Sequence, residues 1–514
     1  MFGRDIDSSS AYPPKSTFMR YWAFVLLCHF LYVHPLKGQK HDFNWIYGYG
    51  NNSGHPLGGG SNISFATYPP KLFKQKKKID FDFYCGVCSD SSGQLKFYTN
   101  GISIRNTTHN LMQNGDTINP GYLWELQQNT SYPQGPFAHT LPAPGMKNHY
   151  YLFHMASQIT TALISSPFYW SLIDMNANNG LGKVVRKNQM LIPDGDLVAP
   201  VAVKHGNGRD WWVITGEISS SKIYQFLVDP EGVHGPFTLE EGPNTSIDEY
   251  QSVNAMSPDG KTYVRCDGRN GLRIYDFDRC SGTFSNLRWI PFADPDLFGF
   301  ATVFAPDSKT LYLSSWRAVM SLDLSAPDIA ATLDTLAYFD GQAAPQEPYT
   351  TGFWIPCLAP NGKIYYATTN STLAMHIVHD PGSPGQSADV QQHGLALTSY
   401  NNGTMCLFPN YRLGEWEGSP CDTVNGQKPG DGFTKTPYAP APPRSQSYTV
   451  LPPIGKPTTP GSPPPPRRLS MAELAIEQMK ARKKATMNDD PTSPPSSVKI
   501  MAGEKATAGE NDKQ

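Results

Sequence analysis

The chain has 514 residues, of which 17 % are charged and 12 % aromatic, with 45 glycines and 46 prolines. Charged residues make up about a quarter of ordinary soluble domains, so this chain has few of them. A composition low in charge and rich in aromatic residues, glycine and proline is typical of strands and turns, and it predicts an all-β protein. A formal net charge of −2 gives the surface no overall field that would attract nucleic acid, so we expect no nucleic-acid partner.

Residues 1–39 are expected to be an N-terminal extension and an export signal. Met19 and Arg20 precede the short apolar run YWAFVLLCHFLYV, and a small residue follows at Gly38. A positive start, a short apolar centre and a small residue before the cleavage point are typical of signal peptides. We expect cleavage near Gln39 or Lys40 and no membrane span afterwards, and an uncleaved anchor is the alternative.

A pattern of strand, tight turn and strand recurs between residues 40 and 425, which we interpret as one domain. The clearest copies are SVNAMSPDGKTYVRC, TVFAPDSKTLYLSS and WIPCLAPNGKIYYAT, and the looser ones are CGVCSDSSGQLKFYT, HTLPAPGMKNHYYLF and VAVKHGNGRDWWVIT. Their turns centre on Asp259-Gly260, Asp307-Ser308, Asn361-Gly362, Ser92-Gly93, Gly145 and Asn207-Gly208. Asn-Gly and Asp-Gly adopt the positive φ angles that two-residue hairpins require, so each copy predicts a β-hairpin.

The spacing of the copies predicts the fold class. Successive turns lie roughly 50–60 residues apart, which is the length of a four-stranded propeller blade. One blade cannot bury both of its own faces, so neighbouring blades must stack and the ring must close. We predict an all-β protein, a β-propeller of six or seven four-stranded blades. The flanking segments NWIYGYG (44–50) and MCLFPNYRLG (405–414) are expected to pair as a shared closing blade.

The cysteines predict one disulfide bond. Of the eight cysteines, one lies in the apolar signal, and the odd number that remains leaves at least one thiol unpaired. Cys85 and Cys88 lie in one predicted strand, where positions three apart face opposite sides of the sheet, so we expect them to pack separately. Cys406 and Cys421 are the candidate disulfide pair.

The segment HGNGRDWW carries the candidate partner site. Arg209 and Asp210 flank its hairpin turn, and one of the two adjacent tryptophans is expected to face outward, with Trp212 assigned to binding. An arginine beside an exposed tryptophan is a typical contact for a carbohydrate or a protein partner. Trp316 and Arg317 are expected to form a second such pair at a comparable place in a later repeat. The alternative is that these charges brace a blade interface.

Two groups of residues come close to a metal-binding pattern: Asp174, Asn176 and Asn178, and His376, His379 and His393. The first group begins like a calcium loop, but its glycine comes one place late and its twelfth position is Val185 instead of a carboxylate. The first two histidines lie at odd spacing in one strand and so face opposite sides. We predict a polar turn at the first group and no metal at either group, with no cofactor and no catalytic residue.

Residues 426–514 are predicted to be a Pro-rich disordered tail. Segments such as PAPPRSQS and SPPPPRR cannot bury enough apolar surface to offset the entropy of ordering. Ser470 and Glu473 form a capping box, which predicts a short, transient helix over 470–484.

Several stretches resemble an exported β-propeller module that is common in surface and secreted proteins of the Bacteroidota. They are SDSSGQLKFYTNG, IDMNANNGLGKVVRKNQ, VKHGNGRDWWVI, YDFDRCSGTFSN, APDSKTLYLSS, LAPNGKIYYA, QQHGLAL and FPNYRLGEWEGSPCDT. The resemblance implies export and a propeller fold, with no established enzymatic activity. The family often carries a C-terminal type IX sorting domain, whose motif is missing here, so release or periplasmic residence becomes the expectation.

We therefore expect an exported protein that is secreted, periplasmic or associated with the cell envelope. Its expected function is that of a non-enzymatic binding or scaffold module, which holds a protein or glycan partner at a rim of the ring. The alternative is a propeller hydrolase or lyase with its site in the central channel.

Overall fold

Strands account for nearly all of the regular structure, as the composition predicts. The computed structural model describes residues 39–453 apart from 52–53, 130–137, 157, 160–162, 165–166, 247–248, 250–251, 293–300, 344–349, 369 and 422–447. The described strands form seven larger sheets and one two-stranded hairpin. The predicted β-propeller is confirmed, and its blades number seven. The predicted signal peptide and the helix over 470–484 lie outside the described residues.

The blades follow one another along the chain. Blade 1 contains β1 (Asn44–Tyr47), β2 (Gly60–Ser64) and β3 (Lys71–Gln75), and blade 2 contains β4 (Gly86–Ser89), β5 (Leu95–Thr99) and β6 (Ile104–Asn106). After the short helix α1 (Tyr122–Gln127), blade 3 contains β7 (His139–Pro142), β8 (His149–Met155), the inserted hairpin β9 (Gln158–Ile159) and β10 (Leu163–Ile164), then β11 (Phe168–Asp174) and β12 (Lys183–Ile192). Blade 4 contains β13 (Val201–Lys204), β14 (Trp211–Gly216), β15 (Lys222–Asp229) and β16 (Gly232–Glu240). Blade 5 contains β17 (Ala255–Met256), β18 (Thr262–Asp267), β19 (Gly271–Asp278) and β20 (Thr283–Ile290). Blade 6 contains β21 (Ala301–Phe304), β22 (Thr310–Ser314), β23 (Ala318–Asp323) and β24 (Asp334–Tyr338), and blade 7 contains β25 (Phe353–Leu358), β26 (Ile364–Thr368), β27 (Ser371–Val378) and β28 (Val390–Asn402).

The six predicted hairpin turns join the first and second strands of blades 2–7. Gly208 and Gly260 have φ angles of 71° and 72° in two of these turns, where glycine avoids the steric cost that a side chain would meet. The strands on either side pair antiparallel, for example Val203 with Trp212. Because every turn occupies the same position in its blade, all six lie on one face of the ring. We call this face the strap face.

Each blade packs against a neighbour on both of its sides, so the two adjacent tryptophans of blade 4 are both buried. Trp211 and Trp212 are adjacent in β14, and each is 1 % exposed. Trp211 belongs to an apolar cluster shared with blade 3, and Trp212 to one shared with blade 5. The prediction that one of the two faces outward is wrong, because alternate residues of a blade strand face the two neighbouring blades.

Blade 7 packs against blade 1 and closes the ring. The hydroxyl oxygens of Ser61 and Ser399 lie 3.0 Å apart, and the rings of Tyr49 and Tyr400 stack with centroids 6.4 Å apart. The face of blade 1 that has no preceding blade in the chain is thus buried against blade 7, as ring closure requires.

Residues 404–409, the closing segment, lie along β1. Met405 Sδ is 3.6 Å from the Tyr47 hydroxyl, and the ring of Phe408 stacks on that of Trp45. The earlier residue of the closing segment contacts the later residue of β1, and the later one contacts the earlier one. The closing segment is therefore antiparallel to β1. The two termini of the domain meet as the sequence predicts, but through side chains; among the described residues no backbone ladder joins them.

The disulfide bonds differ from the predicted pair. Cys85 is bonded to Cys406, with Cα atoms 5.2 Å apart, and Cys280 is bonded to Cys421, with Cα atoms 5.6 Å apart. The predicted bond between Cys406 and Cys421 is wrong, because the chain between them crosses from blade 1 to blade 5. Cys85 and Cys88 pack in two different apolar clusters, as expected, although Cys85 is also part of a disulfide bond. The described cysteines outside these two disulfide bonds are Cys88, Cys266 and Cys357, and all three are buried.

A short strand belongs to the predicted disordered tail. The strand β29 (Thr449–Val450) pairs in parallel with the outer edge of β20. The amide of Leu451 donates to the carbonyl of Trp289 at 2.9 Å, and the Tyr448 ring lies 6.4 Å from the Trp289 ring. The tail therefore adds a fifth strand to blade 5 at residues 448–451.

Removing the Cys85–Cys406 bond should lower the free energy of unfolding. The bond joins residues 321 positions apart, so its loss frees a long loop in the unfolded chain and should cost about 2–5 kcal/mol. Guanidinium denaturation of the Cys85→Ala/Cys406→Ala chain measures this change. Cys88→Ala is the matched control, because Cys88 is buried nearby and free. An equal loss in the control, or a wild-type protein that reductant leaves unaffected, would contradict the expectation.

Truncating the tail should affect blade 5 at a defined point. A chain that ends at residue 453 keeps β29, whereas one that ends at 440 exposes the outer edge of β20. We expect faster amide exchange along β20 in the shorter chain only, since Leu451 and Tyr448 no longer cover that edge. The outer strand β16 of blade 4 is the internal control. Identical exchange along β20 in the two chains would show that the tail strand does not form.

Candidate functional site

Residues 410–421, which we call the strap, cross the strap face from blade 1 to blade 5. The side-chain amide of Asn410 donates to Pro258 O at 2.8 Å, and the backbone amide of Trp416 donates to Gly206 O at 2.8 Å. The strap ends at the bond from Cys421 to blade 5. It therefore covers hairpin turns of blades 4 and 5 and lies over one end of the central channel.

Arg279 fastens the strap to two blades at once. Its guanidinium donates to Lys204 O and His205 O on blade 4, at 2.8 and 3.1 Å, and to Gly414 O on the strap, at 2.5 Å. Gly206 is required beside it, since a Cβ atom there would collide with the sulfurs of the second disulfide. Carbonyl oxygens thus replace much of the hydration that the arginine loses.

Tyr411 anchors the strap in the channel mouth. It is buried, and its hydroxyl donates to Thr140 O on blade 3 at 2.5 Å. Its ring lies 5.0 Å from that of His41 and 5.8 Å from that of Trp211. Burial raises the pKa of Tyr411, so its hydroxyl stays a neutral donor.

A partly buried ion pair joins the next strap residue to the start of the domain. Arg412 donates to both carboxylate oxygens of Asp42, at 2.7 and 2.9 Å. Burial raises the pKa of Asp42, and the bonds from Arg412 oppose that rise. Two-point contact of this kind fixes the orientation of both groups.

Between the strap and the blades lies a cavity of about 350 Å³. Its walls are the first strands of blades 4–7, the closing segment and the start of the strap, with His139 from β7 and the Asp42–Arg412 pair. The first strands face the channel, so most of the wall is apolar side chain and backbone.

The predicted partner residues lie on both faces of the ring. Arg209 pairs with its neighbour Asp210 at 2.6 and 2.9 Å, within one hairpin of the strap face. Trp316 and Arg317 lie in the turn between β22 and β23, with the guanidinium 4.6 Å from the ring centroid. That turn joins the second and third strands, so the second pair lies on the opposite face and not at a comparable place.

Sequence reasoning missed Trp416. This strap residue is partly exposed, and the ammonium of Lys261 lies 5.3 Å from its ring. Its amide is held by the same hairpin that carries Arg209, because Gly206 accepts its bond. We call Arg209, Lys261 and Trp416 the strap patch. A tryptophan in the glycine-rich and acidic run GEWEGSPC was the available signal.

The residues of the two groups that come close to a metal-binding pattern make hydrogen bonds within the protein. Asp174 accepts a bond from the backbone amide of Asn176 at 2.8 Å, as in a polar turn. His376 bonds to Thr351 O at 2.7 Å and His379 to Gln391 at 2.7 Å. In the part of the chain that the structure describes, no three His, Cys, Asp or Glu side chains converge as metal ligands, and no helix there is long and apolar enough to cross a membrane.

The sequence matches no protein-family model and no curated protein. Solved structures similar to it include a proposed 6-phosphogluconolactonase from Bacteroides fragilis, with 12 % identity over 71 % of this chain and 96 % of that one and a TM-score of 0.43. A second, from Bacteroides uniformis, has 12 % identity over 70 % and 97 % of the two chains and a TM-score of 0.40. A functionally unknown protein from Desulfotomaculum acetoxidans has 14 % identity over 68 % and 95 % and a TM-score of 0.35. Likeness at this level carries no information about activity.

Proposed function

We propose that this chain is an exported, non-enzymatic binding module that holds a protein or carbohydrate partner on its strap face. The position of Trp416 carries this proposal: the side chain is partly exposed, Lys261 lies over its ring, and Arg209 lies on the hairpin beneath it. Tryptophan and arginine are enriched where single side chains contribute most to partner binding.

The rigidity of the strap supports this surface. Cys421 is bonded to Cys280, and Arg279 and Asn410 hold the strap to the blades through backbone carbonyls. A surface that is already ordered loses little conformational entropy when a partner binds. The patch therefore has the pre-organisation that a binding module needs.

Export is supported by the two disulfide bonds. Disulfides persist in oxidising compartments and are rare in the reducing cytosol. The resemblance to exported propeller modules points the same way. A secreted, periplasmic or cell-envelope location follows as part of the proposal.

Replacing Trp416 should weaken partner capture without unfolding the ring. Exported proteins and immobilised glycans are tested for binding to the oxidised full-length chain, and the affinity is then measured for Trp416→Ala. We expect a loss of about 2 kcal/mol, or roughly 30-fold, which is typical of a central aromatic contact. An unchanged melting temperature shows that the fold is intact.

Trp316→Ala is the matched control, because Trp316 also lies beside an arginine but on the opposite face. A loss confined to Trp316→Ala would move the partner site to that face and refute the strap patch. Turnover of a bound ester, lactone or glycan would refute the non-enzymatic assignment and favour the channel hydrolase or lyase.

A further inference from the structure

The central cavity has no part in the partner-binding proposal. Its volume is about 350 Å³, within the range of roughly 300–1,000 Å³ that small-molecule sites span. A dry apolar cavity of about 150 Å³ is enough for benzene. The space beneath the strap can therefore hold a molecule of one or two rings.

The lining of the cavity carries no net charge. Its carboxylate, Asp42, is paired at two points with Arg412. Burial lowers the pKa of His139 to about 4, so its imidazole is neutral near pH 7. Burial raises the pKa of the Cys357 thiol, which stays protonated. A charged ligand would lose its hydration here and gain no free counter-charge.

Most side-chain polar groups of the lining already bind protein atoms. Ser257, Thr302 and Asn410 donate to protein oxygens at 2.6, 2.7 and 2.8 Å. His139 differs from them. Its Nε2 lies 2.6 Å from the carbonyl oxygen of Pro200 and so carries the proton, while its Nδ1 is a buried acceptor that has no hydrogen-bond partner among the described residues.

Prolines make the lining poor in hydrogen-bond donors. The prolines of the wall are Pro200, Pro258, Pro306, Pro356, Pro360 and Pro409. None of them has a backbone N–H, although each keeps its carbonyl oxygen. A ligand that donates a hydrogen bond is therefore better matched than one that only accepts.

We propose that the central cavity binds a small, uncharged, mainly apolar molecule with one hydroxyl group, of which simple phenols are the representative class. The apolar wall supplies most of the affinity, because burial removes the ligand's hydrocarbon surface from water. The hydroxyl donates to Nδ1 of His139, the side-chain acceptor of the lining that has no hydrogen-bond partner among the described residues. The strap covers the cavity on its own face.

Fluorine NMR titrations of the oxidised full-length chain with 4-fluorophenol, 4-fluorotoluene and 4-fluorobenzoate test this proposal. We expect saturable binding of the first two, with the phenol about tenfold tighter because of one additional hydrogen bond, and no binding of the benzoate. His139→Leu should remove the preference for the phenol. Trp416→Ala should change neither affinity, which separates this site from the strap patch.

Two variants fill the cavity from different blades. Val201→Phe and Val303→Phe place a larger side chain in the wall, and each should reduce the affinity for 4-fluorophenol at least about tenfold by excluding volume. Val185→Phe is the matched control, since Val185 is 42 % exposed on β12.

A folded wild-type chain that binds neither neutral probe, or that binds the benzoate equally well, overturns the proposal. Cavity-filling variants that melt like the wild type and bind unchanged overturn it too. Where a variant does not fold, the comparison of the three probes on the wild-type chain decides.

Discussion

Every blade of this ring has two apolar faces, and each face is buried only while a neighbouring blade lies against it. Trp211 and Trp212 in β14 belong to clusters on opposite sides of the same blade. A row of stacked blades would leave one open face at each end, so the fold depends on the contact between blade 7 and blade 1. Stacked tyrosines and paired serines hold that junction together, and the Cys85–Cys406 bond links the closing segment to the start of blade 2.

The position of the strap follows from this closure. The chain leaves blade 7, fills the inner place of blade 1 as the closing segment and emerges on the strap face, where it must cross the channel mouth to reach blade 5. Tyr411, Arg279 and the Cys280–Cys421 bond fix that crossing. The cavity beneath the strap and the patch above it are therefore two sides of one segment.

Local features of the fold could be predicted from the sequence. Turns such as Asn207-Gly208 and Asp259-Gly260 depend on the backbone preferences of their own residues, so six hairpins and the blade spacing were visible. Blade 1 was less visible for a physical reason. Its strands β1 and β2 are joined by residues 48–59 and not by a tight turn, so the sequence left the number of blades at six or seven.

Features that depend on the closed ring could not be predicted in this way. Cys406 and Cys421 are close in sequence, but each bonds to a cysteine that its own segment reaches. No local sequence pattern shows that the closing segment lies on blade 1 or that the strap runs to blade 5. The tryptophans follow the same logic. Within a blade strand both side-chain directions meet a neighbouring blade, so Trp212 is buried whichever way it points. Trp416 lies in an irregular segment after the last blade and is partly exposed, which makes such a residue the better candidate for a partner contact.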